Sequence, residues 1–228
     1  MAIHVPGIRV IGADPYTTRR ILLWSAETQR LHSTAETANR EASYRNIVVR
    51  EQEKADSGDR AAFLAGLGVA LSFTVLTDQT DETFQRISEL VNKTNQFNTT
   101  GVRWSNPDFA DFFDTGGVIY AFSVIDKFSE YGLVGAIFMQ AGVVRQFTMS
   151  CRVLGMDVEI AALRHVADLQ FQAGLQVMVA GVVETELNTP CRDVYTRCGF
   201  EAAQPPGVFA LRNTAPRVEA PHVAIVMV

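Results

Sequence analysis

Long apolar runs, paired cysteines and basic clusters are all missing from this chain of 228 residues. Apolar runs such as Val223 to Val228 are far shorter than the roughly 20 residues of a bilayer-spanning helix, so we expect no membrane partner. Three cysteines without paired spacing argue against a disulfide framework and a four-ligand zinc site, and no metal is expected. A net charge of -5 without a Lys/Arg run argues against nucleic-acid binding.

The composition is that of a globular protein with a sizeable core. Apolar residues make up 47% of the chain and charged residues 20%, which argues against a disordered or fibrous chain. The first residues, Met1 to Val10, lack a basic stretch followed by a long apolar one, as a secretory signal would need. We therefore expect a cytoplasmic location.

The N-terminal part is predicted to be a helical segment over residues 1–57. From Asp14 to Ala55 the chain is rich in Arg, Glu, Gln, Thr and Ala, and a second helix is predicted to start at Ser33, because Glu36 completes a capping-box spacing. The turn-forming cluster Asp56–Asp59 then separates this segment from the main domain. The predicted main domain covers residues 58–228.

The main domain alternates strand-like and helix-like stretches. Three β-like stretches separated by turns predict an antiparallel meander, and the stretch after them predicts a turn, a long helix ending at Gly174, and another strand. We therefore predict an α+β (α/β) fold with a mixed, mainly antiparallel sheet flanked by helices. The predicted strands are Val69–Leu76, Gly117–Ile125, Leu133–Gln140, Val143–Met149, Gln176–Val183, Val208–Leu211 and Val223–Val228, and a short helix is predicted at Pro190–Arg197.

The turn Arg152–Asp157, read RVLGMD, carries the strongest chemical signal. Backbone N–H groups at a helix N-terminus lack internal partners and lie at the positive end of the helix dipole, so a glycine-bearing turn there can bind a pyrophosphate. The hexamer by itself fits better with a glycine that only lets the chain turn. The context favours a site, because a meander precedes the turn and a long helix, a strand and Asn188 follow it.

With these features the chain resembles the GNAT acyltransferase superfamily. The resemblance implies that Arg152 and Gly155, with Ser150 at the strand end, bind the phosphate end of a pantetheine thioester. It further implies that Asn188 contacts the pantetheine arm and that Tyr195 protonates the leaving thiolate. Asp157 stands where that family has a small residue. A carboxylate repels a diphosphate, and this favours a carrier-protein-borne phosphopantetheine thioester over free CoA as the cofactor.

Four further motifs look like the C-terminal half of FkbH-like proteins over about residues 33–200. The motifs are Asn92–Thr100, Tyr131–Gly135, Met149–Gly155 and Asn188–Tyr195. Such proteins join a HAD-type phosphatase half to a GNAT-like half and load a glyceryl unit onto an acyl carrier protein. The resemblance therefore implies an acyl carrier protein as partner and a role in natural-product biosynthesis.

Two departures from the FkbH-like pattern bear on the reaction. The first 60 residues contain no Asp-x-Asp-x-Thr nucleophile strand. Gly181 stands where the family has an acidic residue in the strand before the Asn motif. Phosphatase chemistry is therefore not expected here, and neither is the original glyceryl reaction.

The individual candidates each have a structural alternative. Cys151 is predicted at a helix start, where a thiolate is favoured, and either forms a covalent acyl intermediate or packs under the turn. Tyr195 either acts as a general acid or packs with its hydroxyl at the surface. Four polar side chains either orient the substrate or form turns and caps, and the family match favours the substrate: Asn92, Asn95, Gln96 and Asn98.

The sequence thus predicts an acyltransferase that moves an acyl group from a carrier-protein phosphopantetheine thioester to a small-molecule amine. Three alternatives remain open. The chain could load an acyl or glyceryl group onto a carrier-protein thiol, it could be an acyl-CoA-dependent N-acyltransferase, or it could be a non-catalytic carrier-protein docking module.

Overall fold

The computed structural model describes residues 14–16, 18, 19 and 58–226. The chain divides into two compact units, Met1–Ala42 and Ser43–Val228, and the account below concerns the described residues of the second. The helix start predicted at Ser33 and the predicted boundary after residue 57 lie outside the described residues, so both stay predictions.

An eight-stranded sheet forms the centre of the second unit, in the order β6-β7-β5-β4-β3-β2-β1-β8. Its strands are β1 (Val69–Leu76), β2 (Val118–Ile125), β3 (Glu130–Gln140), β4 (Val143–Met149), β5 (Val177–Gly181), β6 (Glu201–Ala203), β7 (Val208–Arg212) and β8 (Val223–Val226). The helices are α1 (Arg60–Ala65), α2 (Phe84–Lys93), α3 (Asn106–Asp114), α4 (Val158–Gln172) and α5 (Val194–Arg197). None of the described helices is long and apolar enough to cross a membrane.

The sheet is mixed and mainly antiparallel, which confirms the predicted fold class. Strands β1 to β4 form an antiparallel meander, and β5, β6 and β7 are joined by antiparallel pairs. Only the pairs β1–β8 and β4–β5 are parallel among the described strands. The sequence did not predict β6, because a strand of three residues is too short to show an alternating pattern.

Two apolar layers cover the opposite faces of this sheet. Alternate side chains of a strand point to opposite faces, and on β2 Ile119 belongs to one cluster while Phe122 belongs to the other. The cluster with Ile119 packs against α2 and α3 through Ile87 and Phe109. The cluster with Phe122 includes the buried α4 residue Leu163.

Candidate functional site

Strands β4 and β5 lie side by side for only two residues and then separate. Their parallel register joins Val143 to Val179 and Val144 to Ala180, and no further pair follows. The chain leaves the end of β4 into the turn and α4, and it returns at β5. A gap therefore opens between the C-terminal half of β4 and the chain that follows β5.

The segment Phe97–Thr99 occupies this gap as an extended stretch. The Thr99 N–H donates to the Phe147 carbonyl at 3.0 Å, and the Met149 N–H donates to the Phe97 carbonyl at 2.9 Å. On the other side, the Val183 N–H donates to the Thr99 carbonyl at 2.8 Å. The chain thus inserts its own residues beside the C-terminal half of β4, which ends just before Ser150.

The side chain of Asn188 holds the inserted segment in place. Its Nδ2 donates to the carbonyls of Asn98, at 3.0 Å, and Val183, at 2.9 Å, while its Oδ1 accepts from the Thr185 N–H at 2.8 Å. Asn188 and Asn98 are both fully buried. In this conformation all of the hydrogen bonds of the Asn188 amide go to the chain's own backbone. Its contact with pantetheine stays a prediction.

Tyr195 lies behind the same segment and is fully buried. Its hydroxyl is 3.5 Å from Oγ1 of Thr99, and its ring packs near those of Phe200 and Phe209. Thr99 Oγ1 in turn accepts from the Phe147 N–H at 2.9 Å. Burial raises the pKa of Tyr195 well above its usual range, so the phenol is neutral. The structure brings Asn188 and Tyr195 to the same segment and buries both, and their roles in binding and catalysis stay predictions.

The side-chain amides of Asn92 and Asn98 form hydrogen bonds with nearby backbone groups. Asn92 belongs to the last turn of α2, and its side chain bonds the Trp104 backbone in both directions, at 2.8 and 2.9 Å. The Asn98 Oδ1 accepts from the Gly101 N–H at 3.0 Å. These contacts are those of turns and caps, which was the structural alternative for the predicted substrate residues.

The remaining two predicted substrate residues, Asn95 and Gln96, lie at the surface. The Arg103 guanidinium donates to the Asn95 side chain and, at 2.7 Å each, to the carbonyls of Val91 and Thr94. Arg103 therefore fastens the start of the segment to the end of α2. A substrate role for Asn95 and Gln96 stays a prediction.

The turn after β4 differs locally from its prediction. Residues Cys151–Val153 form a 3-10 turn, and α4 begins only at Val158. The prediction that Cys151 lies at the start of this helix is therefore wrong. The Ser150 hydroxyl accepts from the Arg152 Nε at 3.2 Å. Cys151 itself is exposed.

Two residues of the turn have left-handed backbone conformations: Gly155 with φ of 80° and Asp157 with φ of 57°. The Asp157 carboxylate does not cap its own helix. It accepts from Arg60 at 2.7 Å and from Arg197 at 3.3 Å. Its negative charge is therefore compensated by two guanidinium groups, and its predicted repulsion of a diphosphate is reduced.

A cleft of about 610 Å³ lies beside the β4–β5 pair. The chain after β6 and the start of β7 line one side, α3 and Trp104 line another, and the strands form the rest. The lining includes Asp111, Arg145, Gln146, Gly181, Val182 and Gly207. Sequence reasoning missed this cleft because its walls come from distant parts of the chain. The insertion of Phe97 beside β4 was also not predicted. A single Phe in the otherwise polar segment Asn92–Thr100 was the sequence feature that indicated a buried position.

Comparisons with known proteins find weak structural similarity only. No family model matches the sequence, and no curated protein matches it significantly. A structure described as an IAA acetyltransferase from Bacillus cereus aligns at 12% identity and a TM-score of 0.41, covering 62% of this chain and 99% of its own. A ribosomal-protein-S5-alanine acetyltransferase from Vibrio fischeri aligns at 12% identity and a TM-score of 0.36, covering 62% and 93%.

A third similar structure comes from Acinetobacter baylyi, and its assignment as an acetyltransferase is provisional. It aligns at 13% identity and a TM-score of 0.42, covering 65% of this chain and 96% of its own. In the part of the chain that the structure describes, no group of three or more His, Cys, Asp or Glu side chains could hold a metal ion.

Proposed function

We propose that this protein is an acyltransferase that takes an acyl group from a phosphopantetheine thioester and transfers it to an amine. The observation that carries the proposal is the gap between β4 and β5, which accepts an extended chain with main-chain hydrogen bonds on both sides. Phosphopantetheine is such a chain, because it is long, unbranched near the thiol and carries two amide groups.

Donor binding in the gap is an exchange of hydrogen bonds. The N–H groups of Phe147 and Met149 on β4 now donate to Thr99 Oγ1 and the Phe97 carbonyl, and the amides of the arm would take over these bonds. The hydrogen bonds exchange at a small net free-energy cost, since one set replaces another. Release of the buried Phe97 ring costs about 1.5–3 kcal/mol, which the donor must offset. The proposal therefore requires that Phe97–Thr99 leave the gap when the donor enters.

The groups around the gap suit the chemistry of thioester aminolysis. The amine nitrogen attacks the thioester carbonyl carbon, the C–S bond breaks, and the nitrogen loses a proton to solvent. Once the segment has moved, the phenol of Tyr195 protonates the leaving thiolate, and solvent, which has taken the proton of the amine, returns a proton to the phenolate. Transfer through an acylated Cys151 is the covalent alternative, since that thiol is exposed in the turn.

The proposal also names the molecule that carries the phosphopantetheine, which is either a carrier protein or CoA. The resemblance to FkbH-like proteins supports a carrier protein as donor and a place in natural-product biosynthesis. The pairing of Asp157 with Arg60 and Arg197 lessens the repulsion that spoke against CoA. Transfer onto a carrier-protein thiol uses the same donor path and differs only in the acceptor.

Intact-mass measurement tests the proposal with the same acyl group presented on a carrier protein and on CoA. We expect acyl loss from the donor that depends on an added amine, with a higher kcat/KM for the carrier-borne group. Tyr195→Phe should lower kcat by about 10²-fold or more while the fold is kept, because only the proton donor is removed. Absence of amine-dependent acyl loss from either donor would refute acyl transfer to amines.

A second candidate function is a carrier-protein docking module without transfer activity. The filled gap and the complete burial of Asn188 and Tyr195 favour it. Binding of a loaded carrier protein without loss of its acyl group to any amine or thiol would identify this function. Acyl transfer by the wild type that is lost in Tyr195→Phe would exclude the docking module.

A further inference from the structure

We propose that the cleft beside β4 and β5 binds a small zwitterion, a molecule that carries an ammonium group and a carboxylate on an apolar body. This inference deepens the proposed function, because such a molecule would be the amine acceptor. It names the substrate class, and it is tested by binding in the absence of any donor.

The size and floor of the cleft suit a small molecule. Its volume of about 610 Å³ lies within the 300–1,000 Å³ that is usual for small-molecule sites. Valine side chains from three strands line it, namely Val143, Val179 and Val208. Phe112 and Trp104 line the α3 side, and their rings are 5.2 Å apart. The body of the ligand is therefore expected to be apolar.

A β-bulge brings Arg145 to this cleft. Opposite β3, Gln146 pairs with Phe138 and Val144 pairs with Met139, so Arg145 is the extra residue on β4. A bulge of this kind redirects a side chain and is frequent beside functional sites. Arg145 is one of the residues that line the cleft, together with its neighbour Gln146.

Most polar groups of the cleft are already paired with one another. The Gln146 Oε1 accepts from Thr100 Oγ1 at 2.8 Å and from Trp104 Nε1 at 2.9 Å, and the Gln140 Nε2 donates to Thr115 Oγ1 at 2.6 Å. These pairs form fixed walls. They leave few polar groups for a ligand.

Two charged side chains of the cleft have no such partner. Among the described residues, neither the Arg145 guanidinium nor the Asp111 carboxylate has a hydrogen bond or an ion pair, and both side chains are exposed at the rim of the cleft. The Asp108 carboxylate bonds Ser105. Asp111 lies three residues after Asp108, so both carboxylates lie on one side of α3. The cleft thus offers one unpaired charge of each sign.

This charge pattern determines the ligand class. A guanidinium binds a carboxylate through two parallel hydrogen bonds, and two neighbouring carboxylates favour an ammonium group. Both side chains are exposed to solvent, so a ligand with one charge would gain one charged contact, whereas a ligand with both charges gains two. A zwitterion satisfies Arg145 and Asp111 together, and an apolar α-amino acid is the simplest molecule of this class.

Gly181 keeps the floor of the cleft open and provides a test of its position. A Cβ atom at Gly181 would meet only the Gly207 carbonyl, at 3.8 Å, and the φ of Gly181 is not in the left-handed region. A larger side chain therefore fits there without backbone strain and projects into the cleft. Gly181→Val should exclude the ligand while the fold is kept.

The experiment is calorimetric titration of the protein with three probes. The probes are L-leucine, which has both charges, L-leucinamide, which lacks the carboxylate, and N-acetyl-L-leucine, which lacks the ammonium. We expect L-leucine to bind, and each of the other two to bind about tenfold more weakly, because each loses one charged hydrogen-bonded contact.

Two variants assign each charge of the probe to its partner. Arg145→Gln should weaken L-leucine about tenfold but leave L-leucinamide unchanged, and Asp111→Asn should weaken L-leucine but leave N-acetyl-L-leucine unchanged. Gly181→Val should abolish binding of all three probes. Ala202→Val is the matched control, since Ala202 is exposed on β6 and does not line the cleft.

The proposal is overturned if none of the probes binds. It is also overturned if all three probes bind equally, or if Gly181→Val binds L-leucine like the wild type. These outcomes are separate from acyl transfer, because no donor is present. Binding of L-leucine without transfer would refute the proposed function and keep the site, whereas transfer to amines without carboxylates would refute the zwitterion and keep the function.

Discussion

At the scale of single residues, Gly135 shows how a missing side chain lets two strands pack. Gly135 lies on β3 opposite Phe122 on β2. A Cβ atom at Gly135 would lie 1.9 Å from Cζ of the Phe122 ring, which is far too close for two carbon atoms. The ring therefore lies over the glycine, and it belongs to the same buried cluster as Phe147.

Gly135→Ala is expected to lower the free energy of unfolding by about 2–3 kcal/mol, because the Phe122 ring must move within a packed core. Urea unfolding measures the change. Gly132→Ala is the control, since a Cβ there meets nothing within 4 Å and only its φ of 64° is unfavourable. Phe122→Leu in the Gly135→Ala background should restore part of the loss. A Gly135→Ala variant as stable as the wild type would contradict the steric argument.

At the scale of elements, Arg197 joins the start of α4 to α5. Its Nη2 donates to Oε1 of Glu159 at 2.6 Å and to Oδ1 of Asp157 at 3.3 Å. The Glu159 side chain is only 2% exposed, and burial raises its pKa above the usual value. The short helix α5 thus depends on an ion pair at the turn for its position against α4.

Arg197→Met is expected to lower the free energy of unfolding by about 2–3 kcal/mol at pH 7, because it leaves the Glu159 carboxylate buried without its partner. The figure is at the low end for buried pairs, since Arg197 is about one-third exposed. Thermal unfolding measures the change. Arg217→Met is the control, because Arg217 pairs with Asp168 in a more exposed position.

The same variant has a pH dependence of known sign. The pKa of Glu159 is raised in the folded state, so protonation of Glu159 stabilises the folded state. This stabilisation is fully present below the pKa of the unfolded state, and it is lost as the pH rises through the pKa of the folded state. The penalty of Arg197→Met should therefore shrink as the pH falls from 7 towards 5. An equal penalty at both pH values would show that Glu159 is not the cause.

At the scale of the whole molecule, one sheet separates two apolar layers and both layers depend on it. The α4 side includes Leu163, and the side of α2 and α3 includes Ile87, both fully buried. Since seven of the eight strands, all but β6, contribute side chains to one layer or the other, loss of either layer exposes the sheet. We expect the described part of the second unit to unfold in one cooperative step.

Leu163→Ala and Ile87→Ala should each lower the free energy of unfolding by about 3 kcal/mol, because each leaves a cavity in a buried cluster. Trp24 is replaced by Phe in all variants, so that the fluorescence reports on Trp104 alone. Each variant should shift the unfolding transition measured by far-UV circular dichroism and the one measured by Trp104 fluorescence by the same amount. The control is Val226→Ala, at an exposed position of the edge strand β8. Separate transitions for the two probes would show that the layers unfold independently.

The sequence alone determined the order of most elements and the strand–turn–helix arrangement around Gly155. These features are local, because hydrophobic periodicity and turn residues act over a few neighbours along the chain. The meander from β2 to β4, the long helix α4 and the return strand β5 all follow from such patterns. Even there, the start of α4 was predicted too early, since a 3-10 turn has no distinct sequence signal.

Only the tertiary structure decided what the candidate site residues contact. Asn188 bonds the carbonyl of Asn98, 90 positions away, and Tyr195 meets Thr99, 96 positions away. The bulge at Arg145 likewise depends on the register between two strands. Such contacts depend on how the strands are arranged in space, and local residue patterns carry no information about that arrangement. For this reason the sequence could name Asn188 and Tyr195 as partners of one site but could not show that the protein's own segment fills it.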